Sequence, residues 1–114
     1  MGLRRQQYLV VFPSHGEVGD RILAHLFHAR RPLDAEELYR RIADDLRLTT
    51  EQQRARRGNE PAWHYHVRRA KRHLVDAGLV QKSQREPWSL TEKGHAKMKG
   101  REDLATEGLW QDDD

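Results

Sequence analysis

The chain has no cysteine among its 114 residues. That absence excludes a disulfide framework and thiolate metal sites, and it fits a cytoplasmic protein. No apolar run approaches the roughly 20 residues needed to span a bilayer, so no membrane association is expected. No basic start leads into a hydrophobic segment followed by small residues, so no secretion signal is read. There is no glycine-rich phosphate loop and no serine in a nucleophile-elbow sequence. The residues therefore suggest no catalytic group and no cofactor, and the chain is expected not to be an enzyme. Internal repeats and low-complexity stretches are also lacking. Apolar residues make up only 36% of the chain. The core must be small, with thin amphipathic helices around it, and the length suits one domain.

What is plentiful is charge, at 34% of residues, and it is unevenly spread. From Glu102 to Asp114 there are six acidic residues and no basic ones, so residues 1–101 carry 21 basic and 12 acidic groups, or +9. Between Arg54 and His73, seven basic residues (Arg54, Arg56, Arg57, Arg68, Arg69, Lys71, Arg72) face one acid, Glu60, a local +6 over 20 residues. Such a concentration is a candidate footprint for a polyanion. A solvated helix face that keeps the protein soluble is the plainer alternative.

The basic stretch has a readable form. From Pro61 to Ala77, residues Trp63, Val67, Ala70 and Leu74 recur at the spacing of a buried helical stripe. Tyr65, Arg68, Arg69 and Arg72 fall on the opposite side. Asn59 is the expected cap, Pro61 sits in the first turn, and Gly78 is placed to end the helix in the left-handed conformation. Leu79-Val80 and Trp88-Ser89-Leu90 then flank a polar turn, Gln81 to Pro87, that reads as a small hairpin. Trp63 and Trp88 point inward by their spacing and are read as core.

Upstream, Tyr8 to Phe12 is a short apolar run stopped by Pro13, either an edge strand or an arm packed on the domain or on a second copy. Ser14-His15-Gly16-Glu17 has capping-box spacing and opens a helix carrying Val18, Ile22, Leu23, Leu26 and Phe27, ending near Arg30. Arg31-Pro32-Leu33 is extended and could form a first, very short strand. Asp34 caps a second helix with Leu38, Ile42 and Leu46 as its stripe and acids in the first turn. Thr50 is expected to cap a helical stretch, Glu51 to Arg57, closed by Gly58. Downstream, Thr91-Glu92-Lys93-Gly94 begins a short helix expected to end at Gly100.

The sequence thus predicts a mainly α (α+β) fold, a winged helix-turn-helix. It would have three main helices, a linker helical turn, a two- to three-stranded wing and a short C-terminal helix. Residues 1–13 form an arm or edge strand, 14–100 the domain, and 101–114 a flexible acidic tail with a docking point at Leu109-Trp110.

The chain resembles the N-terminal winged-helix domain of the Mrr family of modification-dependent restriction endonucleases. The matching residues are Leu48-Thr49-Thr50-Glu51-Gln52-Gln53, then Trp63, Val67-Arg68, Ala70 and Leu74. Ala77-Gly78-Leu79-Val80 and Trp88-Ser89-Leu90-Thr91-Glu92-Lys93-Gly94 complete the match, which spans about residues 13–99. This chain departs from the family at Tyr65 and His66, where an asparagine and an arginine are usual, and at Arg69, where an aromatic is common. The family's nuclease half, with its Glu/Asp/Gln-x-Lys pair on a strand, has no counterpart in these residues. The resemblance implies a DNA-binding module, acting as a regulator or as the recognition subunit of a restriction or defence system whose effector is a separate protein.

With the basic helix in the major groove of double-stranded DNA, Arg68, Arg69 and Arg72 have the reach and fork geometry for guanine O6 and N7 or for phosphates. His64 and Tyr65 lie near the helix start and could touch base edges or backbone, and Lys71 would serve phosphates beside His64. Arg54, Arg56 and Arg57 bring the linker's charge to the same face. In the wing, Lys82, Gln84 and Arg85 form the polar tip, with Arg85 best placed for backbone or minor groove. The bland alternative pairs Arg69 and Arg72 with Asp76 and nearby acids. No metal site is expected: His64 and His66 point about 200° apart on a helix, and His25 with His28 lacks a third ligand. A homodimer would gain affinity and specificity on a paired site. The rival reading is a protein-interaction adaptor that uses the same scaffold without DNA.

Overall fold

The structure, a computed structural model, describes residues 10–83 and 87–112. The first helix, α1, spans His15–Ala29. Ser14 caps it, its hydroxyl accepting from the Glu17 amide at 3.1 Å. Val18, Ile22, Leu23 and Leu26 are its buried stripe, and Arg30, in the left-handed region at φ 56°, turns the chain out toward Pro32. Helix α2, Ala35–Asp45, starts at Asp34, which has N-cap geometry but makes no side-chain capping bond. It buries Leu38, Tyr39, Ile42 and Ala43.

The linker differs from the sequence expectation. Helix α3 is Thr50–Arg54, and its cap is Thr49, one residue earlier than expected. Thr49-x-x-Gln52 and Thr50-x-x-Gln53 both fit the capping box. The register is decided by the partners the glutamines find. Gln52 Oε1 accepts from the Thr49 amide at 2.7 Å, while Gln53 donates to the carbonyl of buried Leu48 at 3.1 Å. Helix then gives way to a hairpin, with strands β1, Arg56–Arg57, and β2, Glu60–Pro61, paired Arg56 to Pro61 and Arg57 to Glu60. Gly58 has φ 60° and Asn59 does not share a positive φ, the pattern of a two-residue II′ turn. The turn therefore claims Asn59, and the residue at the cap of the next helix is Pro61.

That helix, α4, spans Ala62–Asp76 and packs its Trp63, Val67 and Ala70 inward, chiefly against α1. The Trp63 indole donates to the Tyr39 carbonyl at 2.9 Å. Gly78, at φ 77°, ends α4 as expected. Its amide donates to Val75 O and the Leu79 amide to Leu74 O, both at 2.9 Å, which completes a Schellman motif.

The wing is built from single bridges. Val80 pairs with Leu90, and Leu33 pairs with Trp88 through reciprocal bonds of 3.0 and 2.8 Å. Leu33 is thus the short first strand that the sequence suggested, inserted between α1 and α2, and the architecture is a winged helix-turn-helix. Gln84 and Arg85 at the wing tip lie outside the described residues, as do Met1 to Leu9. Residues 10–13 form an arm, not a strand: Phe12 packs on Trp63 and His66, and Val11 O accepts from Gln52 at 2.7 Å.

Helix α5 spans Glu92–Asp112 and so continues past Gly100, where the sequence reading ended it. A lone glycine costs a helix about 1 kcal/mol, which does not stop one whose next residues are good helix formers. No helix among the described residues is long and apolar enough to cross a membrane. Thr91 starts α5, accepting from the Gly94 amide and donating to Gly78 O. This start passes so close to the end of α4 that a Cβ on Gly94 would stand 2.1 Å from Leu79 O and 3.0 Å from its carbonyl carbon. Gly94→Ala should therefore destabilise the domain by about 3 kcal/mol, at the upper end of the usual overpacking penalty. Urea denaturation measures it, and an unchanged midpoint would contradict the close approach.

Candidate nucleic-acid interface

Helical geometry puts Tyr65, Arg68, Arg69 and Arg72 on the outer side of α4, as the sequence predicts, with the three arginines exposed and Tyr65 half-buried. Arg69 and Arg72 make no hydrogen bond or ion pair with any described residue, Asp76 included. Among the described residues, both are cations without a partner on α4. Arg54, in the last turn of α3, and Lys82, at the base of the wing, are exposed as well.

The other expected contact residues among the described ones are already engaged with the protein. Arg68 Nη2 donates to both carboxylate oxygens of Glu60, at 2.7 and 2.9 Å. That pairing lowers the Glu60 carboxyl below its ordinary value and raises the Arg68 guanidinium above its own. Arg57 lies over the Tyr65 ring with 3.9 Å between guanidinium carbon and centroid, a cation–π contact that braces the β1–β2 hairpin on α4. Arg56 donates to Asn59 O across the hairpin turn at 2.6 Å.

Lys71 is the clearest departure. The sequence places it beside the core face as a phosphate ligand. In the structure it is 9% exposed, its Nζ donates to Ser83 O at 2.5 Å and stands 4.6 Å from the centre of the Trp88 ring. Burial lowers its pKa. It holds the wing to α4 through that bond. A stem of four methylenes lets a lysine be buried along its length while the head finds one carbonyl.

His64 does not reach outward either. It stacks on Tyr39 at 4.1 Å and 19°. Burial lowers its pKa from 6.5; Arg68 and Arg56 act in the same direction and Glu36 and Glu60 oppose them. His66 turns the other way, its Nε2 bonding Pro13 O at 2.6 Å. His25 pairs with Asp45, not with His28. Among the described residues no cluster of three His, Asp or Glu side chains is arranged to hold a metal ion.

Two features escaped the sequence reading. Glu60 was visible as the lone acid of the basic stretch, but its partner eight residues on requires the hairpin to be known. His15, His66 and His73 also converge, with ring centres 4.3 Å apart for His15–His66 and 5.4 Å for His15–His73. The i, i+7 spacing of His66 and His73 was the available signal. Between α4, α2 and the wing lies a groove of about 570 Å³, floored by Tyr39 and Trp88 and rimmed by Arg68, Arg72 and Lys82.

Burial also lowers the pKa of His15 from 6.5, reinforced by His66, His73 and Arg69. Both His15 and His64 therefore stay neutral in the folded chain at pH values where the unfolded chain takes up protons. Below pH 6.5 the unfolded state binds more protons, and stability must fall as pH falls. Replacing both by glutamine should flatten that decline below pH 6.5. Melting temperatures across a pH series check it, and superimposable curves for the two proteins would refute it.

No curated protein and no solved structure matches the chain. A family model does: the Mrr N-terminal domain, over residues 21–99, which runs from the seventh residue of α1 through the first two turns of α5 and includes the whole of the helix-hairpin unit. The chain belongs to the Mrr N-terminal domain family.

Proposed function

We propose that this chain is a duplex DNA-binding module that lays α4 in the major groove, sets the β1–β2 hairpin and the wing on flanking backbone, and serves a restriction system as regulator or recognition part. Membership of the Mrr N-terminal domain family associates it with restriction systems. The observation that carries the DNA reading is the pair Arg69 and Arg72, exposed and unpaired among the described residues on the outer face of α4. An α-helix is about 10–12 Å across with its side chains, which fits a groove about 12 Å wide, and the fifteen residues of α4 extend about 22 Å at 1.5 Å per residue. Cations stand at both ends of it, Arg54 and Arg57 on the linker and Lys82 on the wing. A phosphate backbone is a polyanion of complementary charge.

Arg69 and Arg72 are the residues assigned to base edges or to the nearest phosphates. Arg54, Arg57 and Lys82 are assigned to backbone, and Tyr65, braced by Arg57, to the groove wall. A second copy on a paired site and a separate effector chain are the partners this reading calls for.

Fluorescence anisotropy with labelled duplex, in modified and unmodified forms, tests it. Four to five phosphate contacts at about −0.9 each give a log–log salt slope near −4. Arg69→Ala/Arg72→Ala should weaken binding by about ten- to a hundredfold at ~100 mM salt and make the slope shallower by about 1.8, with the circular dichroism spectrum unchanged. A salt-independent affinity, or no binding near ~50 mM salt, would refute the reading.

A further inference from the structure

Glu60 is the only acid between Arg54 and His73. It stands within that basic stretch, paired across the hairpin with Arg57 and bonded to Arg68 from the next element. Stability does not call for it there. The Glu60 and Arg68 side chains are 36% and 42% exposed, and exposed ion pairs are worth little. For simple affinity to a polyanion the carboxylate is a liability: it occupies one arginine and repels phosphates.

A carboxylate beside a guanidinium has a use on base edges. In the major groove a carboxylate accepts from cytosine N4, and an arginine donates to guanine O6 and N7. Side by side, the two groups match the two halves of one G·C pair. Only one nitrogen of Arg68, Nη2, is engaged by Glu60, so Nη1 and Nε keep donors to offer.

We propose that Glu60 is a specificity-determining residue of this face: it withholds Arg68 from phosphates and, with Arg68, selects a G·C pair at one position of the bound site. This rests on the reading of the chain as a duplex binder. Discrimination here comes from a repulsive element set among attractive ones. A duplex with no base donor opposite Glu60 meets an uncompensated carboxylate, while a correctly placed cytosine amino group satisfies it.

The test uses the full chain, with selection of bound duplexes from a random library followed by salt titration on random and enriched duplexes. The wild type should enrich a G·C pair at a fixed position. Glu60→Gln should lose that preference, bind random duplex about fivefold more tightly, and steepen the salt slope by about 0.9 as Arg68 moves to a phosphate. Glu51→Gln makes the same charge change on the same linker and should alter neither the slope nor the enriched position. Arg68→Met gives a second route, losing the G·C preference without a steeper slope. If the wild type binds and Glu60→Gln keeps both slope and preference, this inference fails alone. If the wild type binds no duplex at ~50 mM salt, the functional reading fails and takes the inference with it.

Discussion

The packing of α4 on α1 is the contact the rest of the structure depends on. Trp63, Val67 and Ala70 are almost wholly buried, as are Val18 and Ile22 on the other helix. The approach is close enough that a Cβ on Gly19 would lie 3.5 Å from Leu74 Cδ2. This contact orients α4 about its own axis. With one side of the helix committed inward, the outward direction of Arg69 and Arg72 follows from 100° per residue and needs no further device. The wing and the β1–β2 hairpin are then attached to a helix that already has a fixed rotation.

A chain with so few apolar residues cannot fix its remaining elements by hydrophobic burial alone, and it uses polar side chains instead. Lys71 ties α4 to the wing through Ser83 O, Trp63 ties it to α2 through Tyr39 O, and Gln52 ties α3 to the arm through Val11 O. Each bond satisfies a backbone carbonyl that would otherwise compete for water. The same economy decides which cations remain for a partner. Seven basic residues in the stretch look equivalent in sequence, yet Lys71, Arg68 and Arg56 are bonded within the protein. The surface that faces outward is accordingly narrower than its charge count.

Much of this was legible in the sequence where one periodicity governed. The Trp63-Val67-Ala70 stripe, the turn at Gly78, the strand at Leu33 and the inward Trp88 all follow from spacing and backbone chemistry over short distances. The β1–β2 hairpin was not legible. Glu51 to Arg57 is composed of good helix formers, and the helix is stopped at Arg54 by tertiary bonds, among them Ala62 N to Ala55 O at 2.8 Å. Lys71 was misplaced for a related reason: a helical wheel puts it on the border, and only the position of Trp88 and Ser83 brings it inside. Asn59 was drawn into the turn before it could cap α4. In each case the deciding partner lies on another element, beyond what a local pattern encodes.

The arm brings the backbone into the domain at a particular place. Phe12 rests on Trp63 and His66, and Pro13 O is bonded to His66, so residue 10 enters beside the first turns of α4 and not on the far side of the domain. A fluorophore or an affinity handle attached at residue 10 or 11 is therefore tethered beside the helix that carries Arg69 and Arg72, where its bulk and charge bear directly on access to that helix.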